Sequence, residues 1–167
     1  VVGVRIEMPS NQPIVLLKEV EGSRFLPIWV GAVEATAIAF AQQGMVAQRP
    51  LTHDLISNIL EAADLTLTAV QIVQLKDGIF YAELQVRTES GTVLKISARP
   101  SDAVALAVRK QIPVYVATEI MDFAGMDLAQ DDDFAEDQDA RPESSLSEAE
   151  LDEFRAFLDE IKPDDFS

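Results

Sequence analysis

The chain has 167 residues, 48% of them hydrophobic, no cysteine, and a formal net charge of −16. The missing cysteines exclude disulfides, thiol catalysis and cysteine-ligated zinc, and no apolar run approaches the ~20 residues of a membrane span, so the expectation is a cytoplasmic protein without a membrane partner. The charge is uneven: residues 1–120 hold 12 acids and 10 bases, a net of −2, whereas residues 121–167 hold 17 acids and 3 bases, a net of −14. The basic stripe of a tight nucleic-acid binder is absent.

Val2, Val4, Ile6 and Met8 alternate with polar or small residues, the period of a half-buried strand. Pro9 to Pro13 reads as a turn, Ile14 to Val20 as a second strand, and Glu21-Gly22-Ser23 as the hairpin into a third strand, Phe25 to Val30. Gly31 ends this meander, and an alanine-rich helix over 33–43 runs to Gly44. Thr52 is the expected N-cap of a helix to about Ala63, with Leu55, Ile56, Ile59 and Leu60 on its apolar face.

Three strands are predicted over 65–75, 79–87 and 92–98, joined by Lys76-Asp77-Gly78 and Glu89-Ser90-Gly91. A helix from Ser101 to Lys110, a short strand Val114 to Val116 and a helical turn from Thr118 to Ala124 follow. The order βββα, α, βββα, β, α predicts an α+β fold: a mixed, mainly antiparallel sheet carrying helices, built from pseudo-repeated βββα units. Trp29, Phe80 and Tyr81 are expected in the core.

Three parts are expected: a domain over 1–125, an acidic disordered linker over 126–145 that includes Asp131-Asp132-Asp133, and an amphipathic C-terminal helix with its tail over 146–167. Ser147 to Glu150 reads as a capping box, and Leu151, Phe154, Phe157, Leu158 and Ile161 form one stripe that needs a docking surface.

The most informative feature is a repeat. Ile28-Trp29-Val30-Gly31-Ala32-Val33-Glu34-Ala35 and Ile96-Ser97-Ala98-Arg99-Pro100-Ser101-Asp102-Ala103 both end a strand, break, and open an alanine-rich helix with an acid in its first turn. If the two starts meet, Glu34 and Asp102 can hold Mg²⁺ or Mn²⁺, for which two carboxylates suffice, or act as bases. If they do not, each acid complements its own helix dipole. Arg99 and Ser101 beside exposed N–H groups suit a phosphate or carboxylate; equally, Arg99 suits a bridge to Glu34 or Asp102. His53, the one histidine, with Asp54 beside it and Arg49 upstream, opens another helix as a base or phosphate donor, or as a partner for a loop carbonyl.

Several ordered motifs resemble the bifunctional nuclease family of bacteria and plants: Leu26-Pro27-Ile28-Trp29-Val30-Gly31 with Glu34-Ala35, Arg49 to Leu55, Asp77 to Ala82, and Ala98 to Ala107. The resemblance covers about residues 1–125. It implies an α+β domain, often oligomeric, with DNase and RNase activity in certain members. Glu34, His53, Asp54, Arg99, Ser101 and Asp102 fall within the matching motifs.

The expected function is therefore hydrolysis of DNA or RNA: Glu34, His53, Asp54 and Asp102 in catalysis, Arg49, Arg99 and Ser101 on the substrate, Glu34 and Asp102 on a divalent cation. The expected partners are nucleic acid and further copies of the chain. The alternative is a non-enzymatic regulatory or anion-binding oligomeric domain.

Overall fold

The computed structural model describes residues 1–7, 10–45 and 47–127. Met8 and Pro9, most of the acidic linker and the C-terminal helix expected from Ser147 lie outside the described residues.

The strands divide into two four-stranded sheets among the described residues. In the first, β1 (Gly3–Glu7), β2 (Gln12–Lys18) and β3 (Arg24–Trp29) form an antiparallel meander. Ile14, Val15, Leu16 and Leu17 are all buried, so β2 is covered on both faces and its apolar run shows no alternation. Two connections separate β3 from the next meander: α1 (Ala32–Gln42) and α2 (Thr52–Ala62).

The second meander comprises β4 (Thr66–Lys76), β5 (Ile79–Arg87) and β6 (Val93–Ala98). Asp77 and Gly78 both take positive φ in the β4–β5 turn, which matches that turn to the strands' right-handed twist. Two irregularities in β4, at Leu67/Ala69 and Ile72/Gln74, bend it against β5. Then come α3 (Pro100–Lys110), β7 (Val114–Val116), α4 (Thr118–Ala124) and β8 (Met126–Asp127).

Each meander gains one late strand. β7 joins β4 in parallel, and β8 joins β3 antiparallel, Met126 facing Phe25 and Asp127 facing Arg24. The fold is α+β, with helices packed on sheets that are mostly antiparallel. Val15, Leu26 and Ile28 of the first sheet, Ile38 of α1, Ala103 to Ala107 of α3, and Val70, Ile72, Leu84 and Val86 of the second sheet form one core. The small alanine faces let α1 and α3 lie directly against each other between the sheets' strands.

Four details differ from the sequence reading. The N-cap of α2 is Leu51, with Thr52 already helical. The inward face of α2 carries His53 and Ser57 with Ile56 and Leu60 beside them, while Leu55 and Ile59 are exposed; a 3.6-residue period allowed either stripe, and packing against α3 chose the narrower one. Trp29 is 49% exposed, its Nε1 donating to Glu7 Oε2 at 2.9 Å, and Tyr81 is also exposed. Met126 and Asp127 are in β8, because the edge of β3 offers backbone partners that composition does not reveal.

Candidate active site

Three helices reach the site by their N-terminal ends. Only Val30 and Gly31 separate β3 from α1, and Arg99 alone separates β6 from α3. Each of α1, α2 and α3 has a carboxylate at its third helical position: Glu34, Asp54 and Asp102. Their N-caps are Gly31, Leu51 and Arg99, none of which offers a side-chain acceptor to the free N–H groups. The acids compensate, and Asp54 does so by accepting from Leu51 N–H at 2.9 Å. Pro100 at the first position of α3 loses no bond there.

The two strand-to-helix junctions meet. Arg99 Nε donates to Asp102 Oδ2 at 2.7 Å, Nη2 donates to Asp102 Oδ1 at 3.1 Å, and Nη1 donates to Glu34 Oε1 at 2.8 Å. The two acids expected to share a cation therefore share a guanidinium, and the bridging alternative for Arg99 is the one the structure contains. A guanidinium has five N–H donors. Three are engaged, so two remain on a side chain that is 65% exposed.

His53 comes from the opposite side. Its Nε2 lies 3.2 Å from Asp102 Oδ1, and its side chain is nearly buried. Ionised Asp102 accepts only, so the hydrogen of this contact sits on Nε2, and a neutral ring would then hold its lone pair on Nδ1. Burial acts to raise the Asp102 carboxyl. Hydrogen bonds from Arg99 and His53, with their charges, outweigh it and hold that carboxyl below the ordinary aspartate range. The hydrogen bond to Asp102, then its charge and the Glu34 contact, raise the Arg99 guanidinium.

Glu34, His53, Arg99 and Asp102 line a cleft of about 660 Å³, walled by Val33, Phe40, Pro50 and Leu51. A second cleft of about 370 Å³ lies across the Glu34–Arg99 bridge, where Trp29, Phe80 and Ser101 join the same pair. Arg99 and Glu34 thus form a polar partition between two hollows. Among the described residues, no group of three or more His, Asp or Glu side chains is arranged to hold a metal ion.

The bifunctional nuclease domain model matches residues 15–129, which contain both strand-to-helix junctions, His53 and all three acids. The chain belongs to the bifunctional nuclease family. Two uncharacterized proteins of Mycobacterium tuberculosis are each 44% identical to it over 166 residues, covering 99% of this chain and 95% of theirs.

In this bifunctional nuclease domain, Glu34, His53, Arg99 and Asp102 are brought together as one hydrogen-bonded cluster. Asp54, next to His53 in the chain, binds Leu51 N–H and Arg109 instead, while Ser101, next to Asp102, is buried and lines the smaller cleft. Burial acts to raise the Asp54 carboxyl, but the Leu51 N–H and Arg109, with the charges of Arg109 and His53, leave it lowered. Arg49 is exposed, upstream of α2, and lines neither hollow.

Sequence reasoning missed Arg109. Its Nε donates to Asp54 Oδ1 at 3.0 Å and its Nη1 to the Ala37 carbonyl at 2.8 Å, so one nearly buried side chain ties α3 to both α1 and α2. In the sequence, a base in the last turn of a helix reads only as a complement to the dipole.

Proposed function

We propose that this bifunctional nuclease domain hydrolyses phosphodiester bonds of DNA or RNA in the larger cleft. The observation that carries the reading is the His53–Asp102 contact at 3.2 Å, on a wall that also includes Arg99, two of whose five donors are uncommitted. Asp102 fixes the ring tautomer, leaving His53 Nδ1 to take a proton from the attacking water. The water oxygen bonds to phosphorus, the bond to the leaving oxygen breaks, and solvent protonates that oxygen. The free Arg99 donors contact the phosphoryl oxygens, where negative charge is held through the transition state. Glu34 keeps the guanidinium turned toward the cleft.

Mg²⁺ or Mn²⁺ belongs to this proposal in a subordinate way. As arranged, the carboxylate pair does not fit a shared ion, because Arg99 stands between Glu34 and Asp102 and bonds to both. A divalent ion would have to displace that guanidinium, so the steps above use only the protein's own groups.

Purified protein freed of contaminating nucleases tests the reading, with Asp102→Asn and His53→Gln beside the wild type on DNA and RNA. A loss of about 10²-fold or more for each, typical of general-base removal, is expected. Equal cleavage by wild type and Asp102→Asn would reject the proposal. The three converging helix N-termini favour one rival, a regulatory domain that binds an anion without turning it over. Calorimetric binding of inorganic phosphate with no cleavage by the wild type selects that rival.

A further inference from the structure

We propose that β6 is the contact strand of a two-fold symmetric dimer, pairing antiparallel with β6 of a second copy so that their sheets become continuous. This inference is independent of the catalytic reading above. Among the described residues, β6 is the edge of the second sheet, next to β5 only. It is a regular strand without a bulge or proline, and so lacks most of the devices that blunt an edge.

Leu94, Ile96 and Ala98 face Val86, Leu84 and Ala82, all of which are buried. They therefore lie on the core side of the sheet. Yet Leu94 is 41% and Ile96 40% exposed, because α3 covers β4 and β5 and stops short of β6. Among the described residues, the apolar layer of the core runs off the edge uncovered.

The hydrogen-bond phase identifies what fits there. Thr88 N–H donates to the Thr92 carbonyl at 2.9 Å, just before the Arg87–Val93 pair. By alternation, Leu94, Ile96 and Ala98 direct their backbone groups to β5, while Val93, Lys95 and Ser97 direct theirs outward. The free edge asks for another strand, and an antiparallel second copy of β6 can supply it. A two-fold axis at Lys95 would set like charges opposite each other.

An axis at Ile96 avoids that. Lys95 then exchanges backbone bonds with the partner's Ser97, Ile96 meets the partner's Ile96, and Leu94 meets the partner's Ala98. The uncovered core-side residues of both copies close into one apolar strip. Lys95 stays on the outer face beside Glu83, 3.5 Å from its Oε2. The same register sets the partner's Val93 opposite Arg99, so the second copy adjoins the polar partition of the site.

The full-length chain tests this directly. Light scattering across a dilution series should give twice the chain mass for the wild type, and the mass of one chain for Ile96→Arg, which sets two cations face to face on the axis. Because the chain has no cysteine, Ile96→Cys supplies its only thiol. In the proposed register two such residues form a non-hydrogen-bonded pair with Cα atoms about 4.5 Å apart, within disulfide reach. Mild oxidation should therefore link Ile96→Cys copies and leave Lys95→Cys copies, offset by two residues, unlinked.

A wild type that is monomeric throughout, or a dimer that survives Ile96→Arg, overturns the proposal. Linkage through Lys95→Cys as fast as through Ile96→Cys overturns the register. Should Ile96→Arg fail to fold, the two cysteine variants decide alone.

Discussion

Arg109, in the last turn of α3, donates from Nε to Asp54 Oδ1, in the first turn of α2, across 55 residues of sequence at 3.0 Å. The same guanidinium holds the Ala37 carbonyl of α1. His53 precedes Asp54, so this nearly buried arginine sets where the imidazole stands relative to Asp102. Arg109→Met keeps the volume of the stem but leaves Asp54 and a helical carbonyl without their donor. A loss of about 2–3 kcal/mol is expected for a pair of this kind, or about 5–10 °C in Tm for a chain of this size. Thermal melts of wild type and variant check it, and an unchanged Tm would show that α2 is positioned by its apolar contacts alone.

Acid should destabilise the domain through Asp54 and Asp102. Both carboxyls are lowered in the folded state despite partial burial, by their bonds to Arg109 and Leu51 N–H and to Arg99 and His53. A carboxyl lowered by folding contributes its full stabilisation above its unfolded value of about 3.9. That contribution drains away as pH falls through the lower folded value. Chemical denaturation midpoints should thus be flat in these two groups above about pH 5 and fall below about pH 4. Asp102→Asn should flatten part of that acid limb. An acid limb identical in wild type and variant would remove Asp102 from the account.

Arg99 decides whether Glu34 and Asp102 can take a divalent ion. With the guanidinium in place, each carboxylate already has its cation. Arg99→Ala exposes the two acids to each other and to solvent. Titration calorimetry should then show Mg²⁺ or Mn²⁺ binding at least about tenfold tighter than in the wild type, ~1.4 kcal/mol. Equal affinities would mean that the two acids never act as a joint ligand set.

Much of the fold was legible because its signals are local. The second meander announces itself through Asp77-Gly78 and Gly91, which supply the positive φ its turns need, and the helices end where Gly44 and the chain after Lys110 break the pattern. The division into two sheets was not legible, since strand pairing beyond a hairpin depends on contacts such as Met126 with Phe25, far apart in sequence. At the site, the repeated junction pointed to Glu34 and Asp102 because both sit at one helical position after a breaker. What stands between them did not follow from spacing. Arg99 had equivalent uses as an anion donor or a bridge, and only the distance between the two helix starts selects the bridge. Arg109 gave no signal at all, because its partners lie on two other helices.

Gly31 offers a way to disturb the site without touching a polar group. It caps α1 at φ −69° and ψ 158°, a conformation open to any residue, so alanine there carries no backbone strain. A Cβ at position 31, however, would run into the Glu34 carboxylate, which folds back over the cap. That carboxylate is the end of a flexible side chain, so it can move aside at little cost to the fold. Gly31→Ala should therefore melt within about 1 kcal/mol of the wild type, with the loss of unfolded-chain freedom favouring the variant. Its Glu34 would no longer reach Arg99 Nη1 in the present geometry. If the Glu34–Arg99 contact orients the guanidinium for phosphate, cleavage by Gly31→Ala should fall as far as in Glu34→Gln, and combining the two substitutions should add little. Wild-type cleavage by Gly31→Ala, at an unchanged Tm, would show that Arg99 works without Glu34.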